Sequence, residues 1–179
     1  MQPQPILDFW FTELTPKDHY AKDAASDEAI RSRFGATLEA AAFCELFAWR
    51  ATPEGRLAEV LVLDQFSRNV YRDTPRAFAQ DTLALALAQE LVVNGQDRGL
   101  PLAQRSFAYM PYMHSESALI HSQATVLFSQ PGMEDSLRFE QRHQAIIERF
   151  GRYPHRNALL GRESTPEELA FLTEPGSAF

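Results

Sequence analysis

Residues 53–69 read PEGRLAEVLVLDQFSRN, and this stretch decides the fold because its apolar side chains cover almost the whole circumference of a helix. The apolar positions are Leu57, Val60, Leu61, Val62, Leu63 and Phe66. A helix that is apolar nearly all round lies buried at the centre of a protein. At about 100° per residue, Asp64 and Arg68 fall within the same face as Leu57. Because an unpaired buried charge is very costly, we expect these two side chains to form a salt bridge or to pair with groups nearby.

Thr-Pro dipeptides occur along the chain and predict helix starts. Threonine is a good N-cap, and proline at the first helical position loses no useful hydrogen-bond donor. The dipeptides are Thr15-Pro16, Thr52-Pro53, Thr74-Pro75 and Thr165-Pro166, and Glu168 completes a capping box with Thr165. Asn94-Gly95 and Gly151 indicate helix ends. The resulting predicted helices span residues 5–14, 26–50, 53–69, 75–93, 101–113, 116–129, 134–150 and 166–173.

These patterns predict an all-α protein, since no stretch alternates apolar and polar residues with a period of two. Seven or eight helices with short connections are expected to stack as antiparallel hairpins, in a helical solenoid or a compact bundle. With 179 residues, the chain is expected to form a single all-helical domain over 1–179.

Composition and charge narrow the classes of function. The net charge of −7 argues against nonspecific binding to nucleic acid or anionic membranes. No apolar run reaches the roughly 20 residues of a membrane span, and the N-terminus lacks a signal-peptide pattern, so we expect a cytoplasmic protein. The single cysteine, Cys44, excludes an intrachain disulfide and is expected to be a small core residue.

One segment departs from this acidic background. Residues 142–162 contain five arginines and a single acid, Glu148, which gives a local charge of +4. Just before its arginine-rich loop, His143 lies on an apolar helix face, as a core histidine or as part of a site. Glu140-x-x-His143 resembles half of a di-iron motif, but that chemistry needs a second such pair, so we predict no metal and no cofactor.

Four segments, in this order, resemble a bacterial family known as domain of unknown function 924. They are ILDFWF (6–11), LDQFSRNVYRDTPRAFAQD (63–81), YMPYMHSE (109–116) and RFGRYPHRNALLGRESTPEELAFL (149–172). The resemblance covers nearly the whole chain and implies an all-α fold similar to tetratricopeptide-repeat proteins, with no established activity. The motif positions that it carries over are Asp64, Gln65, Arg68, Asn69, Arg72, His114, Ser115, Glu116, His143, His155, Arg156, Asn157 and Arg162.

These motif residues suggest a polar pocket that binds a small anionic molecule, and they leave open whether the pocket also acts on it. The expected ligand-binding residues are Arg68, Asn69, Arg72, His114, Arg156, Asn157 and Arg162, because guanidinium groups suit carboxylates and phosphates. His143 or His155 would transfer a proton, oriented by Glu116 or Asp64. The alternatives are a helical-repeat module that binds a peptide or protein partner, and a set of residues that only brace helix junctions.

A single site requires two distant segments to meet. We expect residues 151–162 to fold back against the end of helix 53–69 and to bring Arg156 and Asn157 near Arg68 and Asn69. We also expect Arg68→Ala to destabilise the protein more than a change at Arg105, which the sequence does not place on an apolar stripe.

Overall fold

The regular structure is helical throughout residues 1–177, the part of the chain that the computed structural model describes, and no strand occurs there. The fold is therefore all-α, as predicted. The helices are α1 (Gln4–Asp8), α2 (Ala24–Ala42), α3 (Pro53–Leu61), α4 (Ser67–Val70), α5 (Asp81–Val93), α6 (Leu102–Met113), α7 (Ala118–Phe128), α8 (Glu134–Phe150) and α9 (Pro166–Phe171). Within residues 1–177, every helix is too short or too polar to cross a membrane.

Shorter helical turns connect these helices. Of those in the described part of the chain, Phe9–Glu13 and Val62–Phe66 are π-helical. The 3₁₀ turns described there are Asp18–Tyr20, Phe47–Ala51, Pro75–Phe78, Gln96–Gly99 and Pro154–Arg156. The π-helical turn Val62–Phe66 joins α3 to α4, so that residues 53–70 form one continuous helix.

The helix formed by residues 53–70 is central, as its sequence predicts. Its apolar side chains are almost fully buried, and the charge of the equally inaccessible Glu59 is balanced by a two-point ion pair with Arg50. α3 packs against α1, α5 and α6, and α2 packs against the π-helical turn and α4. Along the chain, α5 packs on α6, α6 on α7, and α7 on α8. The tetratricopeptide-repeat-like arrangement and the single domain stay predictions.

The helix starts predicted at Thr52-Pro53 and Thr165-Pro166 are confirmed, whereas Thr74 caps no helix. The Thr52 side chain accepts a hydrogen bond from the Gly55 N–H, and Thr165 forms the complete capping box with Glu168. At the other ends, Gly95 and Gly151 adopt left-handed backbone conformations. Thr15 instead precedes a 3₁₀ turn, where its hydroxyl and N–H both contact Asp18.

Two predicted helices are shorter than expected. The helix predicted over 26–50 ends at Ala42, because the chain turns through Cys44, whose φ is +59°. Cys44 is exposed in this turn, so its prediction as a core residue was wrong. The helix predicted over 75–93 is a 3₁₀ turn followed by α5, which begins only at Asp81. Apolar periodicity continues across both breaks and therefore conceals them.

Candidate functional site

The π-helical turn Val62–Phe66 presents Asp64 at the buried side of the central helix. Such turns are frequent at functional sites because they reorient the side chains that follow. The Gln65 amide donates to Oδ2 of Asp64 at 2.5 Å, and Nη1 of Arg68 lies 3.0 Å from Oδ1. The predicted ion pair of Asp64 and Arg68 is therefore confirmed.

His114 completes the environment of Asp64. It follows the last residue of α6, and its Nδ1 lies 2.7 Å from Oδ1 of Asp64. Among residues 1–177, no hydrogen bond involves the Nε2 atom of His114. The imidazole is thus fixed by a carboxylate on one side and keeps its other nitrogen available.

The charges nearby determine which nitrogen of His114 carries the proton. Burial works to raise the pKa of Asp64, but the Arg68 guanidinium and the His114 ring hold that pKa well below its usual range. Burial and the same guanidinium lower the pKa of His114. At neutral pH, an ionised Asp64 therefore accepts a hydrogen bond from Nδ1–H of a neutral imidazole, and Nε2 is an unprotonated base.

Asp81 joins Arg68 to Arg156. The two Nη atoms of Arg68 lie 3.0 and 3.1 Å from the two carboxylate oxygens, and Nη1 of Arg156 lies 3.2 Å from Oδ2. Nη2 of Arg156 also donates to the carbonyl oxygen of His114 at 3.1 Å. Both guanidinium groups lie over the Phe78 ring. Asp64, Arg68, Asp81, His114 and Arg156 thus form one group, here called the two-arginine cluster.

The two-arginine cluster is largely buried but keeps some contact with solvent. The side chains of Arg68, Asp81 and His114 are 21%, 16% and 12% exposed, whereas Asp64 is only 1% exposed. A groove of about 520 Å³ lies elsewhere, between Met1 and Trp49, and contains none of the cluster residues. We assign the candidate site to the cluster because several ionisable side chains converge there, whereas no such group of side chains lines the groove.

The arginine-rich segment is fixed beside the cluster by a second ion pair. Arg162 forms a two-point contact with Glu116 at 2.6 and 2.9 Å, and the Tyr153 N–H donates to the same carboxylate. Asn157 accepts from Arg162 and donates to Ser164. Glu116, Arg162 and Asn157 therefore hold residues 151–162 in place.

A buried histidine fixes the loop that carries His114. Nε2 of His121 lies 2.8 Å from the carbonyl oxygen of Ser115, and its Nδ1 lies 2.6 Å from Oε1 of Glu140. Both side chains are fully inaccessible, and burial raises the pKa of Glu140. The Tyr153 hydroxyl donates to the carbonyl oxygen of Met113, one residue before His114.

His143 and His155, the histidines predicted to transfer a proton, both lie beside the Tyr153 ring. The centroid of the Tyr153 ring is 5.8 Å from that of His143 and 5.5 Å from that of His155. Burial lowers the pKa of His143 to about 3, and Nδ1 of this residue hydrogen-bonds within α8 to the Phe139 carbonyl oxygen. Burial and the Arg156 charge lower the pKa of His155 to about 4. Both rings are therefore neutral at pH 7.

The structure brings together only part of the predicted site. Arg68 and Arg156 meet at Asp81, but Asn69 and Arg72 both bind Asp27 instead. Asn157 lies with Arg162 and Ser164, so the two Arg-Asn pairs do not converge as pairs. Within residues 1–177, no group of three or more potential ligands could hold a metal ion.

Sequence reasoning missed Asp81, although a signal was present. Asp81 stands directly before the apolar run of α5, and acidic residues are enriched in the first turn of helices. The helix predicted over 75–93 placed it inside a helix. Arg105, the residue compared with Arg68 above, is itself partly buried, and its guanidinium donates to the carbonyls of Asp97, Arg98 and Leu100.

Known proteins resemble this chain over almost its full length. A sequence model described as "bacterial protein of unknown function", domain of unknown function 924, matches residues 6–176. A solved structure of a protein of unknown function from Agrobacterium tumefaciens is 39% identical, with a TM-score of 0.91 over 96% of each chain. No curated protein matches the chain.

Proposed function

The chain belongs to the bacterial family called domain of unknown function 924, and we propose that its two-arginine cluster binds a small anionic ligand and accepts a proton from it. The observation that carries this proposal is the arrangement of His114. The Nδ1 atom of His114 is fixed by Asp64, and its Nε2 atom has no partner among residues 1–177. Arg156 donates a hydrogen bond to the backbone carbonyl oxygen of His114.

This arrangement suits general base catalysis. A buried carboxylate that accepts Nδ1–H orients the imidazole and stabilises the imidazolium that forms when Nε2 takes up a proton. Two guanidinium groups nearby would hold an oxyanion by charge-assisted hydrogen bonds. We assign Arg68 and Arg156 to binding, His114 to proton transfer and Asp64 to its orientation.

A thermal-shift screen tests the binding step. Small carboxylates, phosphates and short peptides would be added to the wild type, to Arg156→Gln and to the control Arg138→Gln, whose arginine is 69% exposed. A ligand at a hundred times its Kd raises the melting temperature by about 5–10 °C for a domain of this size. We expect anions to shift the wild type and the control but not Arg156→Gln.

Two outcomes would contradict the proposal. Anions that stabilise Arg156→Gln as much as the wild type would show that they bind elsewhere. Peptides that bind all three proteins equally would favour the helical-repeat alternative. For any ligand found, His114→Gln is expected to keep the binding and to lose turnover.

A further inference from the structure

The contacts of Asp81 are long for an ion pair. Its three contacts with Arg68 and Arg156 measure 3.0, 3.1 and 3.2 Å. Charge-assisted hydrogen bonds of this kind are typically about 2.7–2.9 Å. The other two-point arginine–carboxylate pairs of the described chain all lie within 2.6–2.9 Å: Arg33–Glu13, Arg50–Glu59, Arg72–Asp27, Arg152–Glu168 and Arg162–Glu116.

Arg156 is incompletely neutralised by this shared aspartate. Its side chain is only 7% exposed, and its Nε atom is buried with no acceptor among residues 1–177. Its other hydrogen-bond acceptor is an uncharged carbonyl, and burial together with Arg68 lowers the pKa of Arg156. Asp81 is thus the one carboxylate in direct contact with Arg156 among residues 1–177, whereas Arg68 also pairs with Asp64, and a buried donor of Arg156 stays unused.

The charge of the cluster depends on whether Asp81 is counted. With Arg68 and Arg156 against Asp64 and Asp81, and with His114 neutral, the cluster carries no net charge. If Asp81 turns away, the remaining charge is +1. Asp81 is the first residue of α5, and 16% of its side chain is exposed.

We infer that Asp81 is a displaceable internal carboxylate and that the ligand presents a monocarboxylate that takes its place between Arg68 and Arg156. This inference rests on the proposed anion binding. A planar carboxylate reproduces the two-point contact that Asp81 makes with Arg68. It also matches the charge of +1, whereas a dianion would leave an excess negative charge next to buried Asp64. Asp81 therefore sets both affinity and charge selectivity.

The test compares acetate with inorganic phosphate, a dianion at pH 8, at matched ionic strength. Dissociation constants would be measured from the Nε–H resonances of arginine by NMR. The proteins are the wild type, Asp81→Asn, Asp81→Ala and the control Glu13→Gln, which removes a carboxylate from the surface pair with Arg33. We expect acetate to bind both Asp81 variants at least tenfold more tightly than the wild type, and Glu13→Gln to match the wild type.

Each other result overturns a defined part of the account. If acetate binds the Asp81 variants no more tightly than the wild type, Asp81 is not a displaceable group. If phosphate binds more tightly than acetate, the ligand is not a monocarboxylate. If neither anion binds any of the folded proteins, the proposed function itself fails and the inference fails with it.

Discussion

At His114, a buried carboxylate decides which ring nitrogen keeps its proton. Asp64 is ionised and almost inaccessible, so the proton of the neutral imidazole lies on Nδ1, 2.7 Å from Oδ1 of Asp64. The sequence indicated Asp64 as an orienting acid, but it could not show that His114 was its partner. The two residues are 50 positions apart, and only the packing of α6 on α3 brings them together.

Arg68 is expected to matter for stability as well as for binding. Arg68→Ala removes the cation beside the buried carboxylate of Asp64, and breaking such a pair costs about 3–5 kcal/mol. The matched control is Arg138→Ala, because Arg138 is 69% exposed and changes at such positions stay within about 0.5 kcal/mol. Urea unfolding measures both variants, and equal, small losses would show that Arg68 is not needed to neutralise Asp64.

The central helix depends on a close approach that only glycine permits. A Cβ atom on Gly55 would lie 2.1 Å from the carbonyl oxygen of Trp49, in the turn that leads into α3. A Cβ atom on Gly35, within α2, would meet nothing within 4 Å. Local sequence reasoning predicted the start of α3 from Thr52-Pro53, but a contact with Trp49 is visible only in three dimensions.

These two glycines therefore give opposite predictions. Gly55→Ala should destabilise the protein by about 1–3 kcal/mol, because a backbone carbonyl has to move. Gly35→Ala should stabilise it by up to about 1 kcal/mol, since alanine is the better helix former. Denaturant midpoints compare them directly. A Gly55→Ala protein as stable as the wild type would mean that the turn before α3 shifts freely.

Across the whole molecule, buried neutral histidines make the fold sensitive to acid. The pKa values of His143 and His155, about 3 and about 4, lie below the value near 6.5 of an unfolded chain. Because the unfolded state then binds more protons, the free energy of unfolding is highest above about pH 6.5 as far as these two histidines determine it, and it falls as the pH drops towards 4. At pH 5, each of the two histidines should lower the free energy of unfolding by about 2 kcal/mol.

Urea unfolding at pH 7 and pH 5 measures this loss. We expect a lower midpoint at pH 5 in the wild type and a smaller decrease in His143→Gln, which has one titrating group fewer. A wild-type midpoint that stays constant over this range would mean that the two rings take up protons as easily in the folded protein as in the unfolded chain.

How far the sequence predicts the molecule depends on the range of the interaction concerned. Capping by Thr52 and Thr165 and the apolar circumference of residues 53–69 are local, and they predicted helix starts and the central helix. The turn at Cys44 and the late start of α5 at Asp81 have no strong local breaker, so both were missed. The meeting of Arg68 with Arg156 was anticipated from charge, whereas the shared Asp81 was not.

The most direct test of the central claim is a long-range ¹H–¹⁵N NMR correlation of the His114 imidazole at pH 7, with and without acetate. The resonance is assigned by its loss in His114→Gln. We predict protonation at Nδ1, an unprotonated Nε2, and an acetate-induced shift of Nε2 that is absent in Arg156→Gln. A proton on Nε2, or a resonance that acetate does not move, would contradict a site in which His114 and Arg156 act on one bound anion.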